Sequence, residues 1–280
     1  MKLLYFFDDH IKHHIMKGKK YCNPADTGIY TDGISCIRED DVNMWLYTKD
    51  GMTVAFDAGH LNFKGLNKEF SKIGIDPLSI GHLFLTHADV DHAGGIDKCG
   101  RNIYPNAKVY LGRDEQQYLE GKMSRMKKLG VPLKNCVRIK SGYKLLSDRE
   151  TLKIGTIKIE ALHIPGHTLG HTCYLIDDRI LISGDCLAVN SSGGYSFFDF
   201  FTQYPDMNKK SLHKLKEIVS HKDLCAVCTG HSGLITDIEH LFDHIDDSAV
   251  FGSKKPFDET APYDFTAYRR LRKKEHSKRT

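Results

Sequence analysis

Apolar residues in this chain fall into short runs punctuated by Asp and Gly, a pattern that predicts strands and tight turns more often than long helices. Asn43-Met44-Trp45-Leu46-Tyr47-Thr48 and Met52-Thr53-Val54-Ala55-Phe56-Asp57 read as two strands, with Asp50-Gly51 supplying the hairpin turn between them. Asp57-Ala58-Gly59-His60 then carries the chain out of the sheet. Over residues 64–73, Leu66, Phe70 and Ile73 recur at helical spacing, and Gly74 follows as a stop. The run His82-Leu83-Phe84-Leu85 reads as a buried strand, Val109-Tyr110-Leu111 as a shorter one, and residues 113–122 as a helix. Residues 1–9 read as a strand and the remainder of 8–35 as irregular.

The second half echoes the first. Residues 152–154 and 157–162 read as strands around Gly155. Residues 172–176 and 179–183 flank the turn Asp177-Asp178, and the second of these strands runs into Gly184-Asp185. Each half therefore has a strand, an Asp-containing turn and a strand that delivers an aspartate at its end, which suggests two related α/β halves. A helix is predicted over 209–219 with Leu212, Leu215, Ile218 and Val219 on one face, then a strand over 224–228. Thr236-Asp237-Ile238-Glu239 has the form of a capping box opening a last helix that carries Leu241, Phe242 and Ile245. The domain expected is residues 1–250, followed by a polar and basic extension, 251–280.

Composition narrows the function classes. Hydrophobic residues make up 40% and charged residues 27% of 280 positions, as in ordinary soluble domains. A net charge of +4 makes no case for nucleic acid or an anionic membrane. No apolar run approaches the roughly 18 residues of a membrane helix, and the N-terminus lacks the form of an export signal. A cytoplasmic protein with reduced thiols is expected from eight scattered cysteines, Cys225 and Cys228 among them reading as core residues despite their spacing. Neither GxGxxG nor a P-loop is present, so the nucleotide folds have no support.

The chemistry concentrates in Thr86-His87-Ala88-Asp89-Val90-Asp91-His92-Ala93-Gly94-Gly95. His87, Asp89, Asp91 and His92 follow a buried strand with no Lys or Arg among them, a density of donors that packing alone does not select. Three later places share the pattern of a strand end, small residues and a His or Asp: Pro165-Gly166-His167-Thr168, Gly184-Asp185 and Gly230-His231-Ser232-Gly233. A second histidine group, His10, His13 and His14, has helical spacing but no carboxylate in register.

This arrangement resembles the metallo-β-lactamase fold superfamily, whose signature is HxHxDH, a later His, a later Asp and a final His. Asp57 matches a further upstream Asp that usually supports the site without ligating. The likeness covers residues 40–235 in the family's order and is closest to its lactonase and glyoxalase II-like branch. It implies an α/β fold, a four-layer αβ/βα sandwich of two related halves with the metal site at one edge. It implies two divalent ions, zinc first, with iron or manganese as the other candidates. His87, Asp89 and His167 would hold one ion, Asp91, His92 and His231 the other, and Asp185 would bridge. Asp91 would also orient the attacking water, and two close metals would clamp the attacked oxygen.

The activity implied is a dinuclear metal-dependent hydrolase acting on a small ester, thioester or lactone. Iron-dependent redox chemistry of the diiron or sulfur dioxygenase kind, or phosphodiester hydrolysis, are the alternatives. Two departures from the family matter. Asp89 stands where a histidine is usual, which tilts the ligand set towards harder metals, and Ala188 stands where lactonases carry a tyrosine. The partner expected is a small-molecule substrate, with neither nucleic acid nor membrane. The aromatic stretch 191–201 is expected either to wall a pocket or to pack on the core.

Overall fold

A computed structural model describes residues 11–12, 21–31, 33–61, 65–100, 102–128, 131–135, 137–139 and 142–250. The strand expected over 1–9, the triplet His10, His13 and His14, and the extension 251–280 lie outside the described residues.

Two sheets stack face to face. The first has seven strands, ordered along the sheet as Gly28–Ile29, Ile34–Glu39, Val42–Lys49, Met52–Phe56, His82–Leu85, Lys108–Gly112 and Tyr143–Leu146. The second has six: Thr151–Ile154, Ile157–His163, Thr172–Ile176, Ile180–Gly184, Ala226–Thr229 and Leu234–Ile235. Strand periodicity sends alternate side chains to opposite faces, and both faces are apolar. From the first sheet, Met44, Leu46, Ala55, Leu83 and Leu111 face the helix Leu66–Ile73 through Leu66, Phe70 and Ile73. Their neighbours Trp45, Val54, Phe56, Phe84 and Tyr110 face Ile157, Ile159, Tyr174 and Ile182 of the second sheet. Beyond that sheet, Leu162, Leu175, Leu181 and Val227 meet Leu212, Leu215 and Val219 of the helix Pro205–Val219. The order helix, sheet, sheet, helix is the four-layer sandwich expected.

The predicted echo between halves is a matter of pairing. Val42–Lys49 pairs antiparallel with Met52–Phe56, which pairs parallel with His82–Leu85. Thr172–Ile176 pairs antiparallel with Ile180–Gly184, which pairs parallel with Ala226–Thr229. Both hairpin turns use left-handed backbone at each central residue: φ is 50° and 78° at Asp50 and Gly51, and 50° and 60° at Asp177 and Asp178. That conformation matches the twist of the flanking strands, and Asp and Gly tolerate it best.

Three expectations need correction. Residues 236–245 form no helix; after a turn, His244–Ser248 is a strand beside Gly193–Ser196. Leu241 and Ile245 are buried as the helical spacing required, but the same spacing is satisfied when a turn precedes a strand. The backbone carbonyls of His240 and Leu241 approach Gly193 and Gly194 so closely that a side chain at either glycine would collide with them. Sheet pairing there overrides the capping signal. The helix expected over 113–122 shrinks to a 3₁₀ turn at Arg113–Glu115 and one helical turn, Gln116–Leu119, because the Glu115 carboxylate turns inward to the Ala88 amide. Within 8–35, Gly28–Ile29 and the start of Ile34–Glu39 are strands. No helix among the described residues is long and apolar enough to cross a membrane.

Candidate metal centre

Strand ends of both sheets meet at one edge and deliver the predicted residues together. His82–Leu85 leads to His87, and the short helix Val90–Ala93 begins directly after Asp89 and presents Asp91 and His92. His167 sits in the loop after Ile157–His163. Asp185 follows Ile180–Gly184, and His231 follows Ala226–Thr229. All except Asp89 are almost fully buried. Cross-sheet hydrogen bonds hold the ends in register: Trp45 Nε1 donates to the Thr229 carbonyl at 2.9 Å, the Asn43 amide to the Gly230 carbonyl at 2.8 Å, and the Tyr174 hydroxyl to the Leu85 carbonyl at 2.7 Å. At Gly230 a Cβ would run into the Asp185 carboxylate and the His92 ring, so only glycine lets the backbone pass this close.

Three imidazoles are oriented from behind through Nδ1. His92 Nδ1 donates to Asp57 Oδ2 at 2.8 Å. His231 Nδ1 donates to the Asp41 carbonyl at 2.5 Å. His87 Nδ1 reaches Thr86 Oγ at 2.9 Å, and that hydroxyl donates in turn to Asp57 Oδ2 at 2.8 Å. These partners hold Nδ1 and point Nε2 into the centre, where it can ligate a metal once it gives up its proton. In all three residues Nε2 is buried without a hydrogen-bond partner, as is Asp185 Oδ1. Asp57 stands behind both His92 and Thr86, with its other oxygen accepting from the Thr86 amide at 2.7 Å.

The donor atoms gather in two groups that share Asp185. Asp91, His92, Asp185 and His231 form one, and His87, His167 and Asp185 the other; within each group one donor atom per residue lies within 4.8 Å of the rest. In the first group, His231 Nε2 is 3.1 Å from Asp185 Oδ2 and 3.3 Å from Asp91 Oδ2, and His92 Nε2 is 3.3 Å from Asp185 Oδ2. Donors spaced in this way fit around one ion whose bonds are about 2.0–2.2 Å. Burial alone would push both imidazoles towards neutrality. The surrounding carboxylates overcome it, holding His92 up at about 10 and His231 well above its ordinary value. A pocket that draws protons so strongly onto buried imidazoles is short of positive charge, and a divalent ion answers that shortage. The residues fit a metal.

Asp89 is placed differently. Its carboxylate lies 3.5 Å from His87 Nε2 and 3.3 Å from His167 Nε2, yet both oxygens are taken by Arg125. Burial opposes its charge, but the guanidinium keeps it ionised, well below the usual carboxylate range. Lys12 brings its ammonium onto Asp91 and lies 3.6 Å from Asp41. Neither cation was anticipated. Arg125 lies in a polar stretch, Ser124-Arg125-Met126-Lys127-Lys128, that looks solvated in sequence, and only the surplus carboxylate at Asp89 hinted at a partner. Glu115 was missed as well: it accepts from the Ala88 amide at 2.9 Å and from the Thr168 hydroxyl at 2.7 Å.

The aromatic stretch packs down as a hairpin, Leu187–Asn190 with Gly193–Ser196, followed by buried Phe197, Phe198 and Phe201. Phe197 also lies against the rings of His167 and His231, at 5.2 and 5.8 Å between centroids. Cys225 and Cys228 belong to no metal-capable group among the described residues.

A model of the Metallo-beta-lactamase superfamily matches residues 37–231. The probable metallo-hydrolase YqgX of Bacillus subtilis is 29% identical over 198 residues, 70% of this chain and 87% of that protein. A hydroxyacylglutathione hydrolase of Dictyostelium discoideum is 29% identical over 169 residues, 58% of this chain, and the match spans 52% of that protein. Among solved structures, BJP-1, a subclass B3 metallo-beta-lactamase of Bradyrhizobium japonicum, has a TM-score of 0.55 at 19% identity, covering 76% of this chain and 80% of its own. ST1585, a metallo-beta-lactamase superfamily protein of Sulfolobus tokodaii, has a TM-score of 0.53 at 20% identity over 90% of this chain and 93% of its own. At such identities the structural likeness speaks for the fold.

Proposed function

The chain belongs to the metallo-beta-lactamase superfamily, and from that premise we propose that it hydrolyses a small carbonyl substrate, an ester, thioester or lactone, with metal held at the edge described above. The observation that carries this reading is the convergence on the Asp185 carboxylate of His92 and His231 Nε2, each ring aimed from behind by an Nδ1 hydrogen bond. Asp91, His92, Asp185 and His231 would hold an ion; His87 and His167, with Asp185 shared, set an upper limit of two. Zinc is the first choice for this mix of imidazole and carboxylate.

When bound, the metal supplies a Lewis acid that lowers the pKa of water and polarises the attacked carbonyl. Asp91, 3.3 Å from His231 Nε2, orients the water and takes up its proton. Asp57 and the Asp41 carbonyl keep the His92 and His231 rings from rotating, so their geometry is set before substrate arrives. Phe197 seals the His167 and His231 side against bulk water. The hydroxyacylglutathione hydrolases among the relatives favour the thioester class.

A second reading, iron-dependent redox chemistry, is favoured by one feature only: three aspartates, Asp89, Asp91 and Asp185, stand among the imidazoles, and hard anionic donors suit iron. Protein purified without chelator, assayed for metal and offered ester, thioester, lactone and phosphodiester substrates, separates the two. Zinc or manganese with hydrolysis of a carbonyl substrate is the expected result. Iron with no turnover of any of the four would sink the hydrolase.

A further inference from the structure

Arg125 lies on the strand Ser124–Lys128 with its side chain almost wholly enclosed. Its Nε donates to Asp89 Oδ1 at 2.6 Å and its Nη2 to Asp89 Oδ2 at 2.7 Å. The same Nη2 is 2.9 Å from His167 Nε2 and 2.9 Å from the Phe201 carbonyl. A two-pronged guanidinium–carboxylate pair is among the strongest charge-assisted contacts, and a guanidinium does not give up its proton in a protein. His167 Nε2 faces Arg125 Nη2, whose two hydrogens are shared among Asp89 Oδ2, the Phe201 carbonyl and His167 Nε2, and it also lies 3.3 Å from Asp89 Oδ2; His167 Nδ1 has no partner. Both oxygens of Asp89 are therefore engaged, and the Nε2 edge of His167 is faced at 2.9 Å, by a cation that cannot be neutralised.

A metal held by His87, Asp89 and His167 needs those same atoms. At His92 and His231 nothing competes for Nε2 in this way: both atoms are bare. Lys12 does approach Asp91, but an ammonium on a flexible stem is a point charge that moves aside or loses a proton far more readily than a locked guanidinium fork.

We infer that Arg125 stands in for the first metal: the chain holds a single ion, at Asp91, His92, Asp185 and His231, and the Asp89–Arg125 pair supplies fixed positive charge on the His167 side. Asp89 is then an anchor for Arg125, not a ligand. Arg125 acts through Asp89 and His167 as a positioning residue. The inference rests on the metal-site reading above and narrows it from two ions to one.

The test is stoichiometry, read by native mass spectrometry and elemental analysis on chelator-stripped protein dialysed against zinc. The unmodified chain should take up one ion. His92→Ala and His231→Ala should each lose it, while His87→Ala and His167→Ala keep it. The double variant Asp89→His with Arg125→Ala should take up two. Two ions in the unmodified chain, or loss in His167→Ala with retention in His92→Ala, overturns the inference and leaves the hydrolase reading standing. A folded double variant that still takes up one ion overturns it as well. No ion at any zinc concentration removes both readings. If circular dichroism shows the double variant unfolded, the four single histidine variants decide the matter.

Discussion

On one side of Asp185, His92 and His231 turn bare nitrogens towards carboxylates; on the other, His167 and Asp89 are already gripped by Arg125. The open side takes Asp91 and His92 from the short helix Val90–Ala93 and Asp185 and His231 from strand ends, and the other side is built of nearly the same residue types. What separates them is a third party. The open side holds Lys12 against Asp91, yet its carboxylates still pull protons onto its imidazoles. On the occupied side burial lowers His87 well below its ordinary value, and burial with the neighbouring Arg125 lowers His167 to about 4. The two sides differ in what competes for their ligand-type residues: a flexible ammonium at Asp91, a locked guanidinium fork at Asp89 and His167.

The largest effect expected is at the residue common to both sides. Asp185→Asn removes the shared carboxylate, and if the bound electrophile contributes several kcal/mol, hydrolysis should fall by on the order of a thousandfold; steady-state assays of the zinc-loaded protein measure it. Loss of less than tenfold would dissolve the contrast, because neither group would then depend on its shared member.

Asp89→Ala breaks only the occupied side. It strands Arg125 in the interior, and removing one partner of a buried pair costs about 3–5 kcal/mol. Urea unfolding should show that loss while the metal content stays at that of the unmodified protein. Normal stability accompanied by loss of metal would mean that Asp89 serves the ion rather than the arginine.

Glu115 stands behind the same side. Burial, opposed by the hydrogen bonds from Thr168 and Ala88 and reinforced by the nearby Asp89 charge, raises its carboxyl to about 7. A folded-state value above the unfolded one favours the protonated acid in the native protein. Its stabilising share is complete below about pH 4.5 and is lost as pH rises through about 7, a change of roughly 3 kcal/mol. Chelated protein should therefore weaken across that window, and Glu115→Gln should flatten the profile. An unchanged slope in the variant would remove Glu115 from the account.

The smallest effect concerns support. Asp57→Asn disturbs the hydrogen bond that orients His92, and such changes typically lower metal affinity by about 10–100-fold. Thr86→Ala touches the relay to His87, and in a one-ion centre it should shift zinc affinity less than Asp57→Asn does. Competition with a chromogenic chelator ranks the two, and a reversed order would put the ion on the His87 side.

Most of the fold and most of the centre were legible along the chain. The apolar runs Met44 to Tyr47 and Val54 to Phe56 read as strands, and the Asp50-Gly51 and Asp177-Asp178 turns placed the hairpins. His87, Asp91, His92, His167, Asp185 and His231 were visible because each follows an apolar strand with small neighbours, and the sheets bring all six together. Arg125 was invisible for a physical reason. Its stretch is polar, and an arginine that enters a site from a surface-like strand has the same sequence signature as one in solvent. The segment 236–248 was misread because burial of Leu241 and Ile245 is compatible with either a helix or a turn and strand. Only the pairing partner, Gly193–Ser196, distinguishes them, and that lies some fifty residues away in the chain.

One hydrogen bond described above has a thermodynamic corollary. His231 is aimed by the Asp41 carbonyl, 190 residues earlier. The centre is thus an attribute of the assembled sandwich and of no fragment, and a cation that recognises it binds the native form alone. Mass action then lets zinc act as a reporter of docking between the two sheets: at a hundredfold excess over its dissociation constant it adds about 2.7 kcal/mol to stability. The melting temperature becomes a titration curve for the joint between the halves.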